Sequence, residues 1–294
     1  MKMRCLFILS VVSICAFIAL GQSQKRRSSP SPSPSPVAIG GLDPLENVKW
    51  QEGPSIGDLG TTAQVHVPAG YVFAGAADTR LIMEANHNPI TGKEVGFVAP
   101  TGERWFAVFG FQDVGYVRDD EKHTLDADAL LESIKAGTEE GNKERARRGW
   151  APMTIIGWAQ PPRYNETTHN LEWAVRAESS GAPIINHNTR LLGRGGVMEV
   201  TLVTDPATLA TDLPKFKTML AGFDFNTGQK YAEFRKGDKM AEYGLTGLIV
   251  GGTTAVLVKS GAFKWLWKGL IALGILAMGF IRKIFSRRKA EQGP

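Results

Sequence analysis

Residues 154–159, 171–177, 184–191 and 197–203 each have the composition of a β-strand, and no helical stretch separates them. A parallel partner needs a crossover of a dozen or more residues, usually a helix, so strands that succeed one another this closely pair antiparallel. That rules out a doubly wound parallel sheet and predicts an α+β domain. Upstream, residues 63–67 alternate as a strand, Val67-Pro68-Ala69-Gly70-Tyr71 forms a turn, and residues 71–74 return as another strand. Residues 97–99 and 105–111 add two more. Three helices are expected in the body. Asp78 caps a short one ending near Ala85. Asp126 or Asp128 caps the longest, which stops at Gly149 and carries Leu130, Leu131 and Ile134 as its apolar stripe. The third covers residues 209–220, between Pro206 and Gly222, with a short strand at 223–225 behind it. Residues 239–245 read as helical, leading toward a C-terminal apolar region. The expected architecture over residues 43–244 is an antiparallel sheet flanked by helices.

The two ends are different in kind. Lys2 and Arg4 precede an uncharged apolar run at residues 6–20, and Ala19 and Gly21 supply small residues at −3 and −1 of a cleavage site. Residues 1–21 therefore read as a secretory signal peptide, with an uncleaved signal anchor as the alternative; both export the downstream chain. Residues 22–42 form a tether whose Ser-Pro alternation at 28–36 builds neither helix nor ladder. From Leu245 the chain turns apolar again, and residues 245–281 read as a membrane region. The stretch 262–281 is long enough for a hydrocarbon core of ~30 Å. Lys264, Trp265, Trp267 and Lys268 suit its interface, where tryptophan partitions and lysine snorkels. Arg282 and Lys283 open a basic tail, 282–294, which the positive-inside rule places in the cytoplasm. One crossing of the cytoplasmic membrane, with the body outside, satisfies both ends; a two-helix hairpin ranks second. Gly247, Gly251 and Gly252 suit close helix packing.

The whole chain carries +5 and a pI near 9.2, but the charge is segregated. Between Asp43 and Gly244 there are 21 Lys and Arg against 28 Asp and Glu, a net of −7. The basic excess serves the ends, and the acidic body argues against nucleic acid as a partner. Cys5 and Cys15, the only cysteines, lie in the signal segment, so the body has no disulfide, thiolate metal site or cysteine nucleophile. No nucleophile elbow, phosphate-binding loop or dinucleotide fingerprint occurs, and no cofactor is expected.

Two clusters remain as candidate sites. Asp113, Asp119, Asp120, Glu121, His123, Asp126 and Asp128 form the densest acidic stretch. Carboxylates can hold a divalent cation, yet the stretch lacks EF-hand spacing and reads equally as a solvated loop before a capped helix. Asn188, Arg190, Gly193 and Arg194 surround a tight turn. Two arginines there can clamp a carboxylate or phosphate, or pair with Asp113, Asp119 or Asp120 to pin the turn. Tyr116 joins this set as a candidate ligand contact.

Several strings resemble an uncharacterised family of membrane-anchored bacterial proteins: Trp50 with Gly53-Pro54; Val67-Pro68-Ala69-Gly70-Tyr71-Val72-Phe73; Asp113-Val114-Gly115-Tyr116-Val117 with Asp119-Asp120; the run from Leu125 to Leu131; Gly157-Trp158; and the run from Asn188 to Arg194. The resemblance runs from Trp50 to the anchor and implies an envelope location without an activity. The order of late strands, helix and Phe223-Asp224-Phe225 is also similar to the PsbP and Mog1 fold. The expected function is that of a non-enzymatic, membrane-anchored envelope protein whose exported domain binds a protein partner or a ligand. A metal-assisted or acid–base hydrolase at Asp113–Asp128 and a subunit of a membrane complex are the alternatives.

Overall fold

The computed structural model describes residues 44–251. The expected signal peptide, tether, membrane span and basic tail, including Lys264, Trp265, Trp267, Lys268, Arg282 and Lys283, lie outside the described residues. No helix among the described residues is long and apolar enough to cross a membrane.

The domain is α+β, with every strand pairing antiparallel. Eight strands make one sheet in the order β1 (Gln51–Glu52), β4 (Tyr71–Gly75), β5 (Glu94–Pro100), β6 (Phe106–Gln112), β10 (Val197–Thr204), β9 (Ala182–Leu192), β8 (Asn170–Ser179), β7 (Met153–Asn165). A second sheet has three, β11 (Phe223–Phe225), β3 (Ala63–Val67) and β2 (Ser55–Asp58). The turn at residues 67–71 forms as expected, with Tyr71 N–H donating to Pro68 O. The strands it joins do not pair with each other, however, because β3 enters the small sheet and β4 the large one. Gly53 lies beneath this turn, where a Cβ would come 1.9 Å from Pro68 O.

Alternation sorts the large sheet into two faces. Met198, Val200 and Leu202 of β10 point toward the small sheet and α3 (Leu209–Leu220), in a core with Val65, Phe109, Trp105 and Phe216. The other face carries two separate apolar clusters. One lies under α1 (Ala76–Ala85), where Ile82 meets Ala74, Phe97 and Ala99. The other lies under α2 (Ala127–Arg147) and α4 (Leu245–Val250), where Leu130, Leu245, Leu248 and Ile249 meet Leu171, Trp173, Leu192 and Val197.

Local chemistry sets the helix ends. Asp126 is the α2 cap, accepting from Ala129 N–H at 3.0 Å, and Asp128 lies inside the first turn. Gly149, at φ +69°, takes the left-handed conformation that stops the helix. α1 starts two residues before the expected Asp78, at Ala76, with no side-chain cap.

The approach to the C-terminus departs most from expectation. Residues 239–244 are not helical. Met240 forms a parallel bridge with Tyr116, and Ala241 N–H donates to Tyr116 O. α4 begins only at Leu245, and Leu245, Leu248 and Ile249 are buried in the domain. The folded body thus continues past the expected end at Gly244, to Gly251 at least. Gly247 packs within its own domain: a Cβ there would lie 2.5 Å from the Tyr243 ring. The partly buried Glu121 carboxylate accepts from Thr246 N–H at 2.9 Å in the first turn of α4.

Candidate functional site

Between the two apolar clusters the helix-side face of the large sheet turns polar. Cross-strand register builds it in rows. Gly110, Glu199 and Arg190 stand side by side on β6, β10 and β9; Val108, Thr201 and Asn188 form the next row, and Phe106, Val203 and Asn186 the third. α1 covers one end of this floor and α2 the other, which leaves a cleft of about 400 Å³ between them. One wall is the last turn of α1 and the chain that leaves it, with Met83, Asn88, Pro89, Thr91 and Lys93; the other holds Arg145 and Met153.

Most of the charges here are already engaged. Glu94 accepts from Thr91 N–H and Oγ1 (both 2.7 Å) and from Gly92 N–H (2.9 Å). Burial pushes its carboxyl up, but these donors outweigh burial and hold it below the ordinary value. Glu199 accepts from Gln112 Nε2 and faces Arg190 Nε at 3.1 Å. Gln112 in turn accepts from the Tyr243 hydroxyl at 3.1 Å. Thr201 Oγ1 donates to Asn188 Oδ1 at 3.1 Å. Arg145 donates to Ala151 O (2.6 Å) and His87 O (3.1 Å), tying the two walls together. The Lys93 and Asn186 side chains have no hydrogen-bond or ion-pair partner among the described residues.

The arginine turn divides between two places. Arg190 is buried at the margin of the polar floor and pairs with Glu199, not with any of the three expected aspartates. Arg194 lies beyond β9, gripping both Asp238 oxygens at 2.7 Å. This pair holds the Asp238 carboxyl down at about 2. Asp238 lies in the segment before α4, so the Arg194 contact is a structural tie that pins the turn, with Asp238 as partner in place of Asp113, Asp119 or Asp120. Asn188 stands beside Arg190, with Nδ2 donating to Asn186 O at 3.2 Å.

The acidic stretch does not converge. Asp113 is exposed near Lys239 (3.8 Å) and Asp120 near Arg118 (3.5 Å). Asp119 is one of the groups that raise the Tyr164 hydroxyl, after burial itself. No group of three His, Cys, Asp or Glu that could hold a metal ion occurs among the described residues. Tyr116 is stacked on Tyr231, with ring centres 4.4 Å apart, and is not in the cleft. The sequence reading missed Glu199, Thr201, Asn186 and Lys93. The signal for the first two was polar residues at alternate positions of an otherwise apolar strand, Val197–Thr204.

Fold and site together define a mixed α+β domain with a sheet-floored cleft between two helices. Over residues 49–281 the chain matches the family of proteins of unknown function DUF2167, and it belongs to that family. Among solved structures it is similar to cyanobacterial PsbP (CyanoP) from Synechocystis sp. PCC 6803. The identity is 14%, over 67% of this chain and 100% of that one, with a TM-score of 0.36. It is also similar to a protein of unknown function, PA94 from Pseudomonas aeruginosa, described as a putative regulator. There the identity is 12%, over 56% of this chain and 91% of that one, with a TM-score of 0.23. Likenesses this distant carry no functional argument. No curated protein matches the sequence.

Proposed function

We propose that this chain is a membrane-anchored envelope protein whose exported domain is a non-enzymatic binding module, taking a small anion-bearing ligand into the cleft between α1 and α2. The carrying observation is the polar strip laid across the sheet between two apolar clusters and left open, with Lys93 and Asn186 unpartnered at its edge. A concave site with apolar walls and a few convergent polar groups is the usual form of a ligand pocket. Glu94 and Glu199 are already matched by donors, so Lys93 supplies the free charge and favours an anion. The leader-like N-terminus, the Ser-Pro tether and the basic tail after residues 262–281 support export and a single crossing of the cytoplasmic membrane. A protein partner in the envelope is compatible with the same exposed cleft.

The test is thermal unfolding of the full chain in detergent against a panel of amino acids, dicarboxylates and sugar phosphates. A ligand stabilises by mass action, so at least one compound raises the melting temperature, and Lys93→Ala with Asn186→Leu abolishes that rise. A panel that leaves the melting temperature unmoved, or a rise that survives both substitutions, refutes the cleft as the site.

A further inference from the structure

The surface around Tyr116 has a different chemistry from the cleft. Phe234 and Met240 are large apolar side chains standing 39% and 41% exposed. They are neighbours through Tyr116: the Phe234 ring centre lies 4.3 Å from that of Tyr116, and Met240 forms the parallel bridge with it. The segment that carries them also exposes Lys230, Arg235, Lys236 and Lys239. Between Lys230 and Met240 the acids are occupied, Asp238 by Arg194 and Glu233 by the Lys230 N–H, and Glu242, two residues further on, is the one exposed acid between Met240 and α4. Lys230 pairs with Asp224 and Lys239 with Asp113. Arg235 and Lys236 have no salt bridge among the described residues.

Exposed apolar side chains beside unpaired cations suit an anionic lipid surface, where the apolar groups enter the acyl boundary and the cations meet phosphates. Placement agrees with this. α4 starts five residues after Met240 and packs in the same cluster as Tyr231. The ten residues from 252 to 261 reach at most about 35 Å when extended, comparable with the diameter of a small domain. A span beginning near residue 262 therefore holds the body within about one domain diameter of the bilayer. We propose that Phe234, Met240, Arg235 and Lys236, arranged around Tyr116, are a membrane-contact surface that seats the body on anionic headgroups. Such a surface presupposes that the chain is membrane-anchored, as proposed for its function.

The test uses the full chain with Cys5→Ser and Cys15→Ser, so that one introduced cysteine carries a spin label. The label is placed by Phe234→Cys, by Met240→Cys in a second variant, and by Ile56→Cys on β2 as the control. Each protein is reconstituted into phosphatidylcholine vesicles with or without phosphatidylglycerol. Collisions with oxygen and with a water-soluble nickel chelate report lipid or water around the label. The expected result is that labels at 234 and 240 become protected from nickel and accessible to oxygen when phosphatidylglycerol is present, while position 56 stays aqueous. Arg235→Glu with Lys236→Glu returns both labels to water. Labels at 234 and 240 that stay as aqueous as position 56 overturn the proposal. So does an immobilised label indifferent to lipid charge and to the charge reversal, which marks a protein contact instead. Alkaline carbonate extraction separates the two readings. A chain washed from the vesicles refutes the anchor, whereas a resistant chain with aqueous labels refutes this surface alone.

Discussion

Arg190 holds its guanidinium carbon 4.7 Å from the centre of the Trp173 ring while its Nε faces Glu199 at 3.1 Å. Burial pushes the Arg190 pKa down and Glu199 pushes it back up; a guanidinium in this position stays charged. Its Nε and Nη1 have no partner with hydrogen-bond geometry among the described residues, so the ion pair and the aromatic face are what compensate a buried cation. Glu199→Ala, which leaves that buried cation with only the Trp173 face, should cost about 3–5 kcal/mol, whereas Arg190→Met with Glu199→Leu should recover most of the loss. Urea midpoints of the three proteins decide the matter. A double variant as unstable as the single one would mean that the two charges do not stabilise each other.

Ending the chain at Gly244 removes Leu245, Leu248 and Ile249 from the core. Each fully buried side chain of this size contributes about 1.5–3 kcal/mol, a large share of the stability of a domain. A chain stopped at Gly244 should lose its cooperative thermal transition, and one stopped at Gly251 should keep it. Equal melting of the two would show that α4 is dispensable.

His187 is buried and its ring nitrogens have no hydrogen-bond partner among the described residues. Burial depresses its pKa; Glu172 on β8, 3.9 Å away, opposes this, and Lys217 on α3 reinforces it. Phe216 of α3 covers the ring. The folded pKa thus lies below the ordinary 6.5, and the unfolded chain takes the proton first. Stability should be full above pH 6.5 and fall as pH drops from there through the depressed value. In His187→Phe that part of the slope should vanish from a melting-temperature series across this window. A slope identical to that of the parent would assign it to other groups.

Gly53→Ala should destabilise by about 1–3 kcal/mol, the usual cost of overpacking. The new methyl would meet the backbone of the turn at Pro68, which has no flexible side chain to yield. Gly60→Ala makes a useful contrast, since nothing lies within 4 Å of its Cβ and its cost comes only from φ +79°. Chemical denaturation should rank the Gly53 variant as the weaker protein; the opposite order would contradict the close approach.

Regular alternation was legible. The four late strands, α3 and β11 stand where composition and punctuation put them, and the Asp126 cap obeys the same rules. β7 runs on to Asn165 through Pro161 and Pro162 because it is an edge strand, where a missing N–H costs no ladder bond, and its register shifts around the prolines. What failed to show was whatever depends on contacts distant in sequence. Residues 239–244 have helical composition, yet pairing with Tyr116 draws them out. Apolarity alone could not separate residues 245–250, which enter the core, from a membrane segment. The site is half visible: Arg190 stands out as a charge in a strand, but charge density points to the acidic loop for its partner, whereas strand register sets Glu199 directly opposite on the neighbouring strand.

Because α4 fills the cluster over β8 and β9, the order of synthesis matters. By the time residue 204 has emerged, all eight strands of the large sheet and α2 exist, yet the patch around Trp173, Leu192 and Val197 still lacks the α4 half of its cover. Translation at about 5–20 residues per second leaves that patch half-covered for several seconds. During that interval the apolar surface that α4 covers in the finished domain stays open to unwanted contacts, and the arrival of residue 250 ends the exposure.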